Sequence, residues 1–223
     1  MLSKLPSWIT LGGVLLSFIA GYINAIGFVH GQAVSHMTGI ISQTAINVAH
    51  TDWARAVHSS LMVLSFFVGC VISGFVIPQS ALKWGRRYGA VLMVEALCLF
   101  GAVPLLNANR AAGFYLAALA CGLQNSMASS YSGAIVRTTH LTGFINDFGI
   151  AVGHLLRGSP IDQLRFRLYA LIVLGFLSGG ILGVWLNDRL GFDALYLAAT
   201  TLGILGLGYF GWAQLRQRHK TQD

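Results

Sequence analysis

Long apolar runs alternate along this chain with short clusters of charge. Runs of spanning length, about 20 residues, fall at 8–29, 57–77, 88–106, 111–129, 166–186 and 192–214. Each is too continuous to be the apolar stripe of a helix lying on a water-soluble core, so the pattern predicts six membrane-spanning helices. Between them lie two shorter segments, 34–50 and 139–156, in which His, Thr, Asn, Gln and Asp interrupt the apolar sequence. These are expected to be short polar helices that dip into the membrane and return, or break within it. Trp8, Trp53, Trp84, Trp185 and Trp212 fall near the ends of the long runs, where amphipathic rings favour the headgroup region.

The pattern also repeats. Gly21-Tyr22-Ile23-Asn24 pairs with Gly122-Leu123-Gln124-Asn125, and Ser35-His36-Met37-Thr38-Gly39 pairs with Thr139-His140-Leu141-Thr142-Gly143. The match continues through His36, Gln43 and His50 and through His140, Asp147 and His154, both spaced by sevens. Ser65, Gly69 and Ser73 recur as Gly175, Gly179 and Gly183, small residues at a spacing that lets membrane helices approach closely or meet a second copy in a homodimer. The chain therefore reads as one all-α membrane domain, a polytopic transmembrane helix bundle made of two repeats, 1–107 and 108–223.

Composition agrees with lipid as the solvent, since 9% of residues are charged against roughly a quarter in a typical soluble domain. The net charge of +7 is read as an orientation signal, not as a nucleic-acid surface. If the two short segments return to the side they entered from, eleven of the 14 Lys and Arg lie on one side and three, Arg55, Arg110 and Arg189, on the other. If both cross, the division is nine to five. The first count is the more usual asymmetry. It puts both termini in the cytoplasm and inverts the second repeat relative to the first, as in many transporters. The apolar start resembles a secretory signal, but it runs on into the Gly21 motif, so cleavage there is not expected. Cys70, Cys98 and Cys121 lie within apolar runs without metal-type spacing, which leaves packing as their role.

Irregular backbone at membrane depth survives only where protein or a wet cavity surrounds it. The Ser/Thr-His-x-Thr-Gly motifs stand where each short segment begins, so Ser35 and Thr139 are expected to cap helix N-termini whose positive ends face a solute. On this reading the solute contacts are Ser35, His36, Thr38, Thr139, His140 and Thr142, with Asn24 and Asn125 beside them, gathered into one site near the midplane. Successive members of the seven-residue series lie about 10 Å apart along a helix, and no carboxylate accompanies the first motif, so neither a metal nor another cofactor is expected. Glu95 and Asp147 stand within apolar surroundings, where an acid is costly and marks an ion pathway; they are the candidates for proton coupling.

The stretch Gly21-Tyr22-Ile23-Asn24-Ala25-Ile26-Gly27-Phe28 with Ser35-His36-Met37-Thr38-Gly39 resembles the YoaK-like family of small bacterial inner-membrane proteins, a domain family of unknown function. Asn24 stands where the family often has Asp. The resemblance implies a bacterial inner-membrane location and carries no reaction, substrate or cofactor. The expected function is a transporter or channel-like permease for a small polar or anionic solute, not an enzyme. The alternatives are a non-transporting scaffold or chaperone for membrane proteins, or an intramembrane metal-dependent enzyme.

Overall fold

The computed structural model describes residues 7–77, 86–132 and 137–220, with side chains within 10–77, 86–130 and 137–211. The side chains of Trp8, Trp84 and Trp212, and of Lys4, Lys83, Arg216, Arg218 and Lys220 from the charge count, lie outside the described residues. The described residues form eight α-helices: α1 Ser7–Val29, α2 Met37–Ala49, α3 Trp53–Val76, α4 Arg86–Asn107, α5 Ala112–Ser132, α6 Leu141–Leu156, α7 Gln163–Leu190 and α8 Leu195–Lys220. A 3-10 turn, Gly191–Ala194, links the last two. The two short segments are thus the short helices α2 and α6.

Among the described residues four stretches are long and apolar enough to cross a membrane: Thr10–Val29, Trp53–Val76, Arg86–Asn107 and Gln163–Gly211, the last of which holds α7 and α8 as far as Gly211. The run at 111–129 does not join them, because α5 carries Gln124, Asn125, Ser126, Ser129 and Ser130 in its second half. Its polarity is turned inward instead: Gln124 is fully buried and its amide donates to Leu16 O of α1 at 3.1 Å. Leu64, Phe67, Val71 and Phe75 on α3, and Leu171, Leu174, Leu177 and Ile181 on α7, are exposed. Such apolar faces suit the acyl chains around a multi-pass membrane protein.

Glycines fix which helices pair. Along α7, Gly175, Gly179 and Gly183 lie against the backbone carbonyls of Val14, Phe18 and Tyr22 on α1, each step of four met by a step of four. The two helices are therefore parallel. On the other side Gly69 of α3 lies against Leu119 O of α5, and Gly122 of α5 against Phe66 O of α3. Cys70 Sγ donates to Gly122 O and Ser126 Oγ to Cys70 O, so α3 and α5 also run parallel. A Cβ at Gly21, Gly69, Gly122 or Gly179 would collide with a backbone oxygen, which is why these positions are glycine. The small-residue rows are thus occupied by contacts within the chain.

The remaining pairs are antiparallel. Gly89 meets Gly206 and Asn107 Nδ2 donates to Asp193 Oδ1 at 2.8 Å, at opposite ends of the α4/α8 seam. Gly113 packs on Leu106 across the short α4–α5 turn. Asp52 caps α3 by accepting from Arg55 N, and Asp162 caps α7 by accepting from Leu164 N and Arg165 N. Following these directions, α1, α4 and α7 finish at the end of the bundle where α3, α5 and α8 begin. Arg55, Arg110 and Arg189 lie at that end, and Arg86, Arg87, Arg157, Arg165 and Arg167 at the other.

Candidate functional site

Past Val29 the chain reverses. His30 N and Gln32 N both donate to Gly27 O, at 3.1 and 2.8 Å, and Gly31 adopts a φ of 75°. The returning segment lies directly on Gly27, where a Cβ would meet Gln32 O. It comes back to the depth of Asn24, whose Oδ1 accepts from Ser35 N at 3.1 Å and from Ser35 Oγ at 2.8 Å. Asn24, Val34 and Ser35 are buried there. The second half is built alike after α5: Asn125 Oδ1 accepts from Thr139 N at 3.5 Å and Thr139 Oγ1 at 3.2 Å. Thr138, fully buried, accepts through its carbonyl from Ser17 Oγ at 3.4 Å.

The helices start one residue later than the capping expectation requires. His36 and His140 are the N-cap residues of α2 and α6, and neither side chain makes a cap hydrogen bond. A buried carboxamide oxygen needs donors, and Asn24 and Asn125 find them in the N–H and hydroxyl of Ser35 and Thr139. The rings of His36 and His140 instead lie over Gly39 and Gly143, where any Cβ would strike them. The glycine of each motif makes room for its histidine. The backbone bonds of the two starts begin with Ile40 N to His36 O and Phe144 N to His140 O. The N–H groups before them, at 37–39 and 141–143, meet no acceptor among the described residues.

The structure thus joins Asn24 to Ser35 and Asn125 to Thr139. It leaves His36, Thr38, His140 and Thr142 exposed at two separate helix starts, and no hydrogen bond or ring contact among the described residues links His36 to His140. The Gln124–Leu16 contact sets the register of the antiparallel α1 and α5. From it Asn24 lies eight residues toward one end and Asn125 one residue toward the other, about 13 Å apart along the axis. The motifs occupy two depths and do not share one centre.

Glu95 sits at mid-length on α4 with 0% exposure, and neither carboxylate oxygen has a hydrogen-bond partner among the described residues. Cys121 of α5 lies within its electrostatic reach. Ser73 Oγ, Gln124 Oε1 and Thr138 Oγ1 are likewise buried without partners. Such atoms each cost about 1–3 kcal/mol, so a bundle interior that keeps several of them is polar by design of its sequence. Asp147 is exposed on α6, beside an open cleft of about 290 Å³ shared with His154, Arg165 and Tyr169. No contact joins it to Glu95. All six members of the seven-residue series are exposed, and among the described residues no three of His, Cys, Asp and Glu come together as metal ligands would.

A second cleft, of about 270 Å³, escapes the sequence reading. His58 Nδ1 lies 2.8 Å from the Tyr115 hydroxyl and its Nε2 3.1 Å from Gln32 Oε1. His30 Nε2 lies 3.0 Å from Asn187 Oδ1. Asn109 and Arg110 complete its polar lining. None of these residues belongs to a repeated motif, and the signal available was a lone histidine, His58, inside an apolar run.

A family model described as a protein of unknown function, DUF1275, matches residues 12–208. The chain belongs to the DUF1275 family. Beyond the family, it is similar to sugar transporters of Saccharomyces cerevisiae. The high-affinity hexose transporters HXT6 and HXT7 are each 22% identical over 119 residues, 52% of this chain and 19% of theirs. The low-affinity glucose transporter HXT1 is 24% identical over 104 residues, 44% of this chain and 18% of its own. This DUF1275 chain thus matches less than a fifth of the length of these curated relatives. No solved structure matches.

Proposed function

We propose that this DUF1275 protein is a transporter or channel-like permease for a small polar or anionic solute, working without enzymatic chemistry in a bacterial inner membrane. In this reading α1, α3, α4, α5, α7 and α8 cross the bilayer. Helices α2 and α6 enter from opposite sides and return, and the halves 1–107 and 108–223 are inverted copies. The observation that carries it is the pair of chain reversals held by Asn24 and Asn125. Each brings an irregular segment back inside the bundle and opens a helix N-terminus there, the feature by which broken helices of inverted-repeat transporters hold solutes and ions. Such backbone is tolerated at membrane depth where it lines a cavity or is buried in protein. The two depths make the sites successive stations along a path, His36 and Thr38 serving one and His140 and Thr142 the other. Glu95, buried without a partner among the described residues, is the group equipped to exchange a proton, and Asp147 is exposed midway along α6.

The arrangement of cations supports the orientation. The end with Arg86, Arg87, Arg157, Arg165 and Arg167 is the cytoplasmic one, which places both termini there. Reconstituted proteoliposomes loaded with a pH dye test the reading. Hexoses are the first solutes to offer because of the similarity to hexose transporters, followed by small anions. The expected result is a solute-dependent pH change. Glu95→Gln is expected to lower proton-driven accumulation about tenfold or more while solute exchange at equal pH persists. Sealed vesicles with no flux of any offered solute in either mode would instead favour a scaffold that moves nothing.

A further inference from the structure

The cleft where α1, α4 and α7 finish belongs to neither repeated motif. Phe114 and Phe192 line it together with His30, Gln32, His58, Asn109 and Arg110, the His30 ring stacked on Phe192 with centroids 4.0 Å apart, and no carboxylate lines it. Part of the hydrogen-bonding capacity of that lining is already used. Both ring nitrogens of His58 are engaged within the protein, one by the Tyr115 hydroxyl and one by Gln32 Oε1. That second bond uses the accepting oxygen of the Gln32 amide and leaves its NH2 group, which can only donate. Arg110 brings five more N–H donors, and its side chain makes no ion pair with any described residue.

Arg110 is also held in place. Its N–H donates to Leu105 O at 2.8 Å and that of Asn109 to Leu106 O at 2.9 Å, with Asn109 at a φ of 54°. This paired closure ends α4 with a left-handed residue, and α5 begins within two residues. The positive end of the α5 dipole therefore faces the cleft beside the guanidinium. A cation and free donors beside aromatic rings suit a ligand that supplies acceptors and an apolar body.

We propose that this cleft binds a small organic carboxylate, its carboxylate on Arg110 and the Gln32 amide and its hydrocarbon part on Phe114 and Phe192. The volume, about 270 Å³, suits a body the size of one aromatic ring. The site is defined by binding and does not depend on transport.

The experiment is calorimetric titration of the purified full-length protein in detergent with benzoate, and with benzamide as its uncharged isostere. Saturable benzoate binding is expected, with benzamide at least tenfold weaker. Arg110→Gln is expected to weaken benzoate about tenfold or more, the loss of a charge-assisted contact, and Arg110→Lys to restore part of it. Arg110 is exposed, so an unchanged thermal unfolding curve shows that the variant folds; should it not, Gln32→Leu, expected to weaken benzoate without touching the charge, takes its place. Equal binding of the two ligands, no saturable benzoate binding, or benzoate binding that survives Arg110→Gln unchanged would each overturn the proposal. Binding without any flux in vesicles would leave this site standing and remove the transport reading alone.

Discussion

Asn24 holds a chain reversal with a single atom. Its Oδ1 takes both donors of Ser35, at 3.1 and 2.8 Å, inside a buried environment. Removing that oxygen leaves a buried N–H and a buried hydroxyl unpaired, at about 1–3 kcal/mol each. Asn24→Leu is therefore expected to lower the midpoint of thermal unfolding in detergent clearly. Asn24→Asp keeps an oxygen in the same place, still able to accept both bonds, and is expected to unfold within a degree or two of the parent. The equivalent change at Asn125 costs less, because its bonds to Thr139 are longer, 3.5 and 3.2 Å. A Leu variant as stable as the Asp variant would show that the reversal is held by packing and not by the carboxamide. The sequence made Asn24, Asn125 and the Ser/Thr-His-x-Thr-Gly motifs visible through repetition. It could not show that Asn24 and Ser35 bond to each other, because that depends on how far the chain doubles back. For the same reason it misplaced the caps by one residue.

At the scale of elements, most boundaries were legible because each helix announces its solvent. The two short segments were separated from the long ones by polar interruptions, whereas the caps Asp52 and Asp162 start α3 and α7 a few residues ahead of the apolar runs. Pairing was not legible. The rows containing Gly69 and Gly179 announced close approach, yet a small-residue face has no address, and only the fold shows that α7 lies on α1 and α3 on α5. The cleft around Arg110 was hidden for a related reason, since its walls come from four separate stretches of chain. Gly179 lies against the backbone of Phe18, whereas the space where a Cβ at Gly74 would stand is open. Gly179→Ala is expected to destabilise by about 1–3 kcal/mol, the usual range for overpacking, seen as early unfolding or aggregation on size-exclusion chromatography after mild heating. Gly74→Ala, in the same kind of helix, is expected to match or slightly exceed the parent, since alanine favours helix over glycine. Equal behaviour of the two variants would mean that α1 and α7 do not meet at this seam.

For the whole molecule, the direction of each helix and the distribution of charge make one joint prediction. Parallel pairing of α1 with α7 and of α3 with α5 requires that the chain leave α1 and enter α3 at one end of the bundle, and leave α5 and enter α7 at the other. If the bundle axis lies along the membrane normal, α2 and α6 cannot each complete a crossing. Single cysteines at Arg55, Arg86, Arg110 and Arg189, on a background with Cys70, Cys98 and Cys121 replaced, read this directly in intact cells. A membrane-impermeant thiol reagent is expected to label positions 55, 110 and 189 and to reach 86 only after permeabilisation. Labelling at 86 and 189, with 55 and 110 protected, would mean that both short helices cross and that the two halves are parallel. The two helix starts would then open toward the same side. Alternating access between stations facing opposite ends would lose its geometric basis, and the polar interior around Glu95 would need a different explanation from proton exchange along a path.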